Sequence, residues 1–250
     1  MNTLKIAVAG IWTVGSGLLE ILLKNKTFIE NKIEKSIIIS AVASRTPKKV
    51  LKKLNKSTIV FDDAKKFLDF NDYDLLVELI GGEDGIAKEI IINSLNMSKN
   101  VVTANKALVA KHGIEILKIA EKNNSKIAFE AAVAGGVPVI KVLKEFLLSN
   151  KIKKVFGILN GTSNYILSKM EQTNKDFSVI LKDAQNMGYA ESDPSFDIDG
   201  TDTAHKLAIL SMIAYGKVLD FKSIFMQGIE KIQIDDIKFA DTLGYKINLL

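Results

Sequence analysis

The sequence predicts an α/β fold over residues 1–130, followed by an α+β domain over residues 131–250. Short apolar runs alternate with amphipathic helical patterns in the first part, and glycines follow several of those runs. After Pro138 the alternation stops and helical patterns dominate. A chain of 250 residues and 27.5 kDa is long enough for each part to bury its own core.

The first predicted element is a strand over residues 4–9, which the turn Gly10-Ile-Trp-Thr-Val-Gly15 joins to an amphipathic helix. A strand, a glycine turn and a helix in that order open a Rossmann-type dinucleotide-binding domain. The motif has glycines at positions 10, 12 and 15, for the turn, for close approach of the pyrophosphate and for helix packing. Position 12 is Trp12, and its indole occupies space that the pyrophosphate needs. Cofactor binding and a turn that binds nothing both stay open.

The second strand, residues 36–43, ends in Ser44-Arg45-Thr46 rather than in an acidic residue. In a Rossmann domain this end faces the adenosine ribose, where an acid favours NAD and an arginine can fork onto the 2′-phosphate of NADP. Arg45 is the only arginine among 34 basic residues. The pattern favours NADP(H) over NAD(H), with a surface arginine as the alternative.

The alternation continues through the rest of the first part. Strands are predicted at 74–82, at 100–103 and from residue 126, and helices from residue 87 and at 107–121. Lys106 follows the strand at 100–103, and ligands of parallel sheets bind at the carboxyl ends of strands. Glu130 lies where the last strand enters a glycine turn. Its carboxylate suits a hard monovalent cation or backbone N–H groups.

The second part is predicted to be mostly helical. Helices are expected at 139–148, 161–172, 177–187, 201–216, 221–225 and 234–243, and strands at 153–159 and from residue 244. Asn160-Gly-Thr-Ser-Asn164 follows the first of these strands, and its small polar residues suit substrate contact or a helix cap equally well. Because the last apolar pattern runs to Leu250, we expect the natural protein to continue beyond that residue.

The stretch from Gly188 to Lys206 concentrates acids, glycines and one lysine. Its acids are Glu191, Asp193, Asp197, Asp199 and Asp202. Asp202 and Lys206 lie four residues apart at the start of a predicted buried helix, so they share one face, and the helix dipole favours Asp202 there. A solvated ion pair after a helix cap at Thr201 is the alternative to a catalytic pair.

Composition excludes several kinds of site. The chain has no cysteine, which removes disulfides, thiol catalysis and thiolate metal sites, and its two histidines are too few for most transition-metal sites. The net charge of +5 is spread over scattered lysines, which argues against nucleic-acid binding and leaves anionic ligands open. No apolar run reaches membrane-spanning length and no leader is visible, so we expect a cytoplasmic protein that does not bind membranes.

Several short strings resemble one family, the homoserine dehydrogenases, and the resemblance covers nearly all of the chain. They are Thr13-Val-Gly15, Thr103-Ala-Asn-Lys106-Ala-Leu, Asn160-Gly-Thr-Ser-Asn164, Gly188-Tyr-Ala-Glu191 and Asp193-Pro-Ser-Phe-Asp197-Ile-Asp-Gly200. The resemblance implies an NAD(P)-dependent oxidoreductase that interconverts L-aspartate 4-semialdehyde and L-homoserine, in threonine and methionine biosynthesis. It also implies a homodimer formed through the catalytic domain.

The resemblance also implies roles for individual residues. Lys206 would be the proton donor, Glu191 and Asp202 would bind the substrate's ammonium and hydroxyl groups, and Asp197 would support them. Lys106 would hold substrate and cofactor in the active site. Cofactor contacts would come from Gly10, Thr13, Val14, Gly15, Arg45, Thr103, Lys106 and Gly188, and a sodium ion would be bound by Glu130, Val133, Gly135 and Val137.

Two departures from the family keep other functions open. Trp12 replaces a glycine of the cofactor loop, and the family continues past the segment that ends this sequence. A working NADP-dependent dehydrogenase is therefore one hypothesis. The others are a truncated, weakly active or inactive remnant with impaired cofactor binding, and a binding module for a different ligand.

Overall fold

The computed structural model describes residues 2–46, 54–217, 219 and 221–250. The chain forms two compact units, residues 1–141 and 142–250. The segment that follows Glu130 packs with the first unit, where the amides of Ile140 and Lys141 donate to the Glu130 carboxylate at 3.0 and 3.1 Å. The domain boundary at residue 130 stays a prediction.

The first unit is built on a six-stranded parallel sheet. Its strands are β1 (Asn2–Ala9), β2 (Lys35–Ala43), β3 (Ile59–Phe61), β4 (Leu75–Glu78), β5 (Asn100–Thr103) and β6 (Ile127–Ala128). Their order is β3-β2-β1-β4-β5-β6, so the chain reverses direction across the sheet after β3 and leaves a switch point at β1 and β4. This order confirms the predicted Rossmann-type fold.

In the described residues of the first unit, four helices of eight or more residues connect these strands. They are α1 (Thr13–Lys24), α2 (Lys26–Ile33), α3 (Ile86–Asn96) and α4 (Lys106–Lys122). The strands of a parallel sheet are covered on both faces, which explains their nearly continuous apolar sequences. Ile6 and Val8 of β1, Val42 of β2 and Val77 of β4 form one buried cluster with Leu19 of α1. This cluster holds the start of α1 against the switch point.

The second unit is helical in its described residues. Its helices are α5 (Gly161–Thr173), α6 (Phe177–Asn186), α7 (Ser195–Ile198), α8 (Thr201–Tyr215) and α9 (Ile234–Thr242). Ile166 and Met170 of α5 pack with Ile180 and Ala184 of α6, and each pair is spaced four residues apart along its helix. Across the described ranges, no helix of either unit is long and apolar enough to cross a membrane.

Three predicted elements of the second part are wrong. The segments 153–159 and 244–250 are irregular rather than strands, and the helix expected at 139–148 is one helical turn followed by a π-helix at Val142–Phe146. A strand forms only when a partner pairs with its backbone groups. In the described part of the second unit no such partner lies beside 153–159, and Phe156 is 72% exposed.

Candidate functional site

Two glycines of the first turn are required by the packing of the fold itself. Gly10 has a φ of +100°, and a Cβ there would lie 2.6 Å from the carbonyl oxygen of Leu79, just beyond β4. A Cβ on Gly15 would lie 2.1 Å from the carbonyl oxygen of Gly10. Both obstacles are backbone atoms, so no side chain can be added without moving the turn. The glycines therefore allow β1, β4 and α1 to meet closely.

The turn directs backbone N–H groups outwards at the start of α1. The first intrahelical hydrogen bond runs from the amide of Ser16 to the carbonyl of Trp12, at 2.8 Å. The amides of Thr13, Val14 and Gly15 precede that bond and have no acceptor inside the helix. Together with the helix dipole, they form an end that favours an anion such as a pyrophosphate.

Trp12 takes the place of the second glycine with φ and ψ of −106° and −148°. Because its φ is negative, the backbone does not require a glycine there, and its side chain is 46% exposed. The Arg45 guanidinium lies over the indole, 4.1 Å from the ring centroid. Both side chains line a cavity of about 560 Å³ that also reaches Gly10 and Ser44. The indole thus forms part of a wall beside the turn.

The rest of this cavity carries hydroxyl and carboxylate groups. The buried Ser44 hydroxyl accepts the amide of Thr46 at 3.1 Å and lies 3.4 Å from its hydroxyl. Asp62 pairs with Lys66 at 2.7 Å, and the hydrogen bond from this lysine lowers the pKa of Asp62. Asp63 accepts the amide of Lys65 at 2.9 Å. Both carboxylates are therefore engaged within their own segment.

A buried carboxylate that the sequence analysis did not single out orders the turn after β4. Glu78 is fully buried at the end of that strand. It accepts the amides of Ile80 and Gly81 at 2.6 and 3.1 Å and the Thr103 hydroxyl at 2.5 Å. The Thr103 side chain is itself buried, and its hydroxyl donates its hydrogen bond to Glu78. The signal in the sequence is an acid that ends the apolar run Leu75-Leu-Val.

Lys106 begins α4 at the same edge of the sheet. Asn105 caps that helix by accepting the amide of Leu108 at 3.1 Å, and it donates to the carbonyl of Gly82 at 2.7 Å. The turn after β4 and the start of α4 are thereby tied together. Lys106 is half-buried beside this connection.

The Glu130 carboxylate accepts backbone N–H groups, which the sequence analysis gave as the alternative to a sodium site. Each of its carboxylate oxygens accepts one backbone amide, from Ile140 and from Lys141. Val133 and Val137 lie in the loop between them, and the carbonyl of Val137 accepts the amide of Val139 at 2.8 Å. In the described ranges no group of three or more His, Asp or Glu side chains could hold a metal. The types of oxygen present, a carboxylate and main-chain carbonyls, are those that hard cations prefer.

In the second unit, Asp202 and Lys206 form a contact that is largely removed from solvent. Lys206 Nζ lies 2.7 Å from Asp202 Oδ2 and donates to the carbonyl of Leu159 at 2.6 Å. The Asp202 side chain is 3% exposed and that of Lys206 is 18% exposed. Two acceptors on different segments therefore fix the position of the ammonium group.

Asn160 links this pair to a second carboxylate. Its side-chain nitrogen donates to Asp197 at 2.7 Å and to Asp202 at 2.8 Å, while its oxygen accepts the amide of Ser163 at 2.8 Å. It therefore caps α5 and bridges two acids at once. The sequence analysis left a helix cap and substrate contact open for this segment. The structure shows the cap, and it adds a bridge that no pattern indicated.

The other residues of the acidic stretch are exposed or are held by other contacts. Gly188 follows α6 with a φ of +77°, and Glu191 is exposed. Asp193 accepts from Ser195, whose hydroxyl lowers its pKa, and Asp199 accepts the amide of Thr201 at 2.7 Å. Thr201 is the first residue of α8 rather than its cap, since Gly200 holds that position. Asp197, Asp202 and Lys206 are thus the predicted residues that the fold brings together.

Comparisons with known proteins give one family for both units. The model of a homoserine dehydrogenase NAD-binding domain matches residues 10–130, and the model of homoserine dehydrogenase matches residues 138–250. The homoserine dehydrogenases of Neisseria gonorrhoeae and Pseudomonas aeruginosa are 43% and 42% identical over all of this chain. The chain spans 57% of the length of each of these curated relatives.

Solved structures agree with the sequence relatives. A homoserine dehydrogenase from Thiobacillus denitrificans has a TM-score of 0.91 and 41% identity over 99% of this chain and 57% of its own. A putative homoserine dehydrogenase from Archaeoglobus fulgidus has a TM-score of 0.86 and 31% identity over 98% of this chain and 79% of its own. A hyperthermophilic archaeal homoserine dehydrogenase in complex with NADPH, with a TM-score of 0.79, is 26% identical over 92% of this chain and 75% of its own. The Rossmann-type unit and the cluster at Lys206 thus lie in a chain that belongs to the homoserine dehydrogenase family.

Proposed function

We propose that this chain catalyses the NADP-dependent interconversion of L-aspartate 4-semialdehyde and L-homoserine, a step of threonine and methionine biosynthesis. The observation that carries the proposal is Lys206, whose ammonium group is held by a buried carboxylate and a backbone carbonyl. Such a group is what an aldehyde reductase without a metal needs at the carbonyl oxygen.

In the proposed reaction, the protein itself binds the charged groups of the substrate and transfers a proton. NADPH, when bound, supplies the hydride. Hydride addition to an aldehyde leaves an alkoxide, and Lys206 Nζ holds a proton that it can donate to that oxygen. In the oxidative direction, the same nitrogen takes the proton from the homoserine hydroxyl. Because Asp202 and the carbonyl of Leu159 fix this nitrogen, little reorganisation is needed at the moment of transfer.

The acids of the stretch from Gly188 to Lys206 would divide two tasks. Asp202 already contacts Lys206 and Asn160, which supports a role in positioning the proton donor beside any contact with the substrate hydroxyl. Glu191 is exposed on the same stretch, and its carboxylate is our candidate for the substrate ammonium group. Asp197 acts through Asn160. Lys106 and the backbone of Gly188 keep the roles that the family resemblance implies.

The preference for NADP(H) is supported by the end of β2. Ser44, Arg45 and Thr46 offer two hydroxyls and a guanidinium where NAD-specific Rossmann domains have an acid. A guanidinium can bind a phosphomonoester through two parallel hydrogen bonds. The amides at Thr13, Val14 and Gly15 would bind the pyrophosphate.

The direct test is NADPH oxidation by the purified chain in the presence of aspartate semialdehyde. Lys206→Met should lower turnover about 100-fold to 10,000-fold, because it removes the proton donor. Lys238→Met is the matched control, since Lys238 lies in the same unit, is half-exposed and contacts only one carboxylate of its own helix in the described residues. Equal turnover of the wild type and Lys206→Met would refute the assigned role.

The inactive-remnant hypothesis has one observation in its favour, the indole of Trp12 at the cofactor turn. It predicts a chain that is folded by circular dichroism yet binds neither NADPH nor NADH. Calorimetric titration of the wild type therefore separates it from a working enzyme, before any substrate is added.

We also propose a sodium site at Glu130, with main-chain oxygens of Val133, Gly135 and Val137. An ion there would share Glu130 with the two amides that it already accepts. The thermal midpoint should be higher in sodium chloride than in choline chloride at equal ionic strength, and Glu130→Gln should remove the difference. Equal midpoints of the wild type in the two salts would contradict the site.

A homodimer formed through the second unit is proposed on the basis of its apolar surface. Phe146, Leu148 and Phe156 are all more than two-thirds exposed, and pairing with a second copy would remove such side chains from water. Light scattering at increasing protein concentration should give twice the mass of the chain. Phe156→Lys should shift the equilibrium towards the monomer, whereas a wild type that stays monomeric would refute the proposal.

A further inference from the structure

We propose that Trp12 is a specificity-determining residue, whose indole holds the Arg45 guanidinium in the orientation that binds a phosphomonoester on the cofactor's adenosine ribose. The inference rests on the proposed function, because it concerns the same dinucleotide site. It goes beyond that function by giving the unusual tryptophan a task, instead of treating it as damage to the motif.

The contact between Trp12 and Arg45 joins two loops at the carboxyl edge of the sheet. Trp12 follows β1 and Arg45 follows β2, which is the neighbouring parallel strand. The guanidinium lies 4.1 Å from the indole centroid, within the range of a cation–π interaction. A free arginine side chain samples many rotamers, and stacking restricts them before a ligand arrives. The indole thus pre-organises the arginine.

An arginine suits this arrangement better than the residue that dominates the chain. Of 34 basic residues, Arg45 is the only arginine. A planar guanidinium can stack on a ring with its face and still direct N–H groups from its edge at two phosphate oxygens. A lysine ammonium offers a point charge with no plane to orient. The pair therefore combines the two groups that a stacked, forked phosphate contact requires.

The fold leaves position 12 free to carry a large side chain. Gly10 and Gly15 are enclosed by backbone oxygens, whereas Trp12 has a negative φ and a half-exposed side chain. The turn therefore accommodates a tryptophan at the position of the second glycine. Its effect falls on whatever binds in the cavity of about 560 Å³ that the indole lines.

The chemistry of that cavity makes the orientation of Arg45 decisive. The other charged groups in its wall are Asp62 and Asp63, which are acidic and already engaged by Lys66 and by the amide of Lys65. Two carboxylates oppose a doubly charged phosphomonoester unless a guanidinium is held against it. A ribose with a free 2′-hydroxyl has no such need. Loss of the indole should therefore weaken NADPH binding and leave NADH binding nearly unchanged.

The test is calorimetric titration with NADPH and with NADH in the absence of substrate. Trp12→Leu keeps bulk and removes the π face, and it should lower the ratio of the NADH to the NADPH dissociation constant about fivefold. Trp12→Phe should lower it less. Arg45→Lys should also lower it, and the double variant Trp12→Leu/Arg45→Lys should lose little more than Arg45→Lys alone, because both changes remove one contact.

A second measurement uses Trp12 as its own probe. It is the only tryptophan in the chain, so selectively excited emission reports this site alone. Adenosine 2′,5′-bisphosphate should change that emission at lower concentration than adenosine 5′-monophosphate does. In Arg45→Lys, the two nucleotides should change the emission at similar concentrations.

The outcomes separate the two proposals. A folded wild type that binds neither dinucleotide would overturn the proposed function, and the role of Trp12 with it. If the wild type binds but Trp12→Leu has the same ratio of dissociation constants, the role of Trp12 is overturned while the proposed function stands. Tighter binding of both dinucleotides by Trp12→Gly would identify the indole as an obstruction and would also overturn the inference.

Discussion

Asn160→Asp is the substitution that tests the cluster at Lys206 most sharply. The two side chains have the same shape, and an aspartate oxygen can still accept the amide of Ser163 and cap α5. What is lost is the side-chain nitrogen, which donates to Asp197 at 2.7 Å and to Asp202 at 2.8 Å. The variant therefore places a third carboxylate against two others without changing the packing.

The expected loss of stability is large for an isosteric change. Each hydrogen bond to a charged group is worth about 1.5–3 kcal/mol, so the loss of both costs about 3–6 kcal/mol. Mutual repulsion adds to this, but the introduced carboxyl can take up a proton and donate one bond again, which limits the total to about 4 kcal/mol. With a urea dependence of about 2 kcal/mol per molar, the transition should move down by about 2 M.

The assay is urea unfolding followed by two signals. Far-ultraviolet circular dichroism reports the helices of both units, while Trp12 emission reports the first unit, where the chain's only tryptophan lies. Asn160→Asp should shift the dichroism transition. The difference from the wild type should narrow as the pH falls, because the introduced carboxyl takes up a proton and can again donate one hydrogen bond.

Asn164→Asp is the matched control, since it adds the same charge one turn further along α5, where an acid near the helix start is tolerated. Equal transitions for Asn160→Asp and Asn164→Asp would refute the bridge between Asp197 and Asp202.

Three further predictions concern the first unit. Gly15→Ala should destabilise it by about 3 kcal/mol or more in urea unfolding because its Cβ would meet a backbone oxygen at 2.1 Å, whereas Gly17→Ala, with open space around it, should stabilise α1 by about 0.5–1 kcal/mol; equal effects would refute the packing. Glu78→Gln should cost about 2 kcal/mol and weaken NADPH binding, since an amide cannot accept all of Glu78's bonds; unchanged titration and melting would contradict this. Burial raises the pKa of Tyr73, so the stability from its neutral form is complete below pH 10 and lost above it. Tyr73→Phe should therefore lose less stability than the wild type as the pH rises above about 10, and identical pH profiles would count against the assignment.

The parallel sheet could be predicted because its signals are local. The apolar runs of β1 and β2, the glycines at 10 and 15 and the helix that begins at Lys106 each show in a few consecutive residues. β3 was missed because Ile59–Phe61 is too short to have a pattern of its own and exists through its pairing with β2. The prediction of a strand at 153–159 was wrong for the opposite reason. This segment has the apolar pattern of a strand, but no strand within the described residues of its unit pairs with it.

The candidate site divides in the same way. Asp202 and Lys206 are neighbours on a helix face, so their contact follows from a spacing of four residues. The bridge through Asn160 connects positions 37 and 42 residues apart and could not be read from spacing. Glu78 was overlooked because one acid at the end of an apolar run resembles an ordinary strand end. Its importance lies in the amides and the hydroxyl that the fold turns towards it.

The three motif positions at the first turn are constrained by different things. At Gly10 and Gly15 a side chain would meet backbone atoms of the protein itself. Any substitution there therefore lowers the stability of the fold, whether or not a cofactor is bound. At position 12 the side chain is half-exposed and lines the cavity beside the turn. With the role that we propose for Trp12, cofactor preference would change through this one position while the fold stays intact. A search that requires all three glycines would then treat a recognition residue as an architectural one.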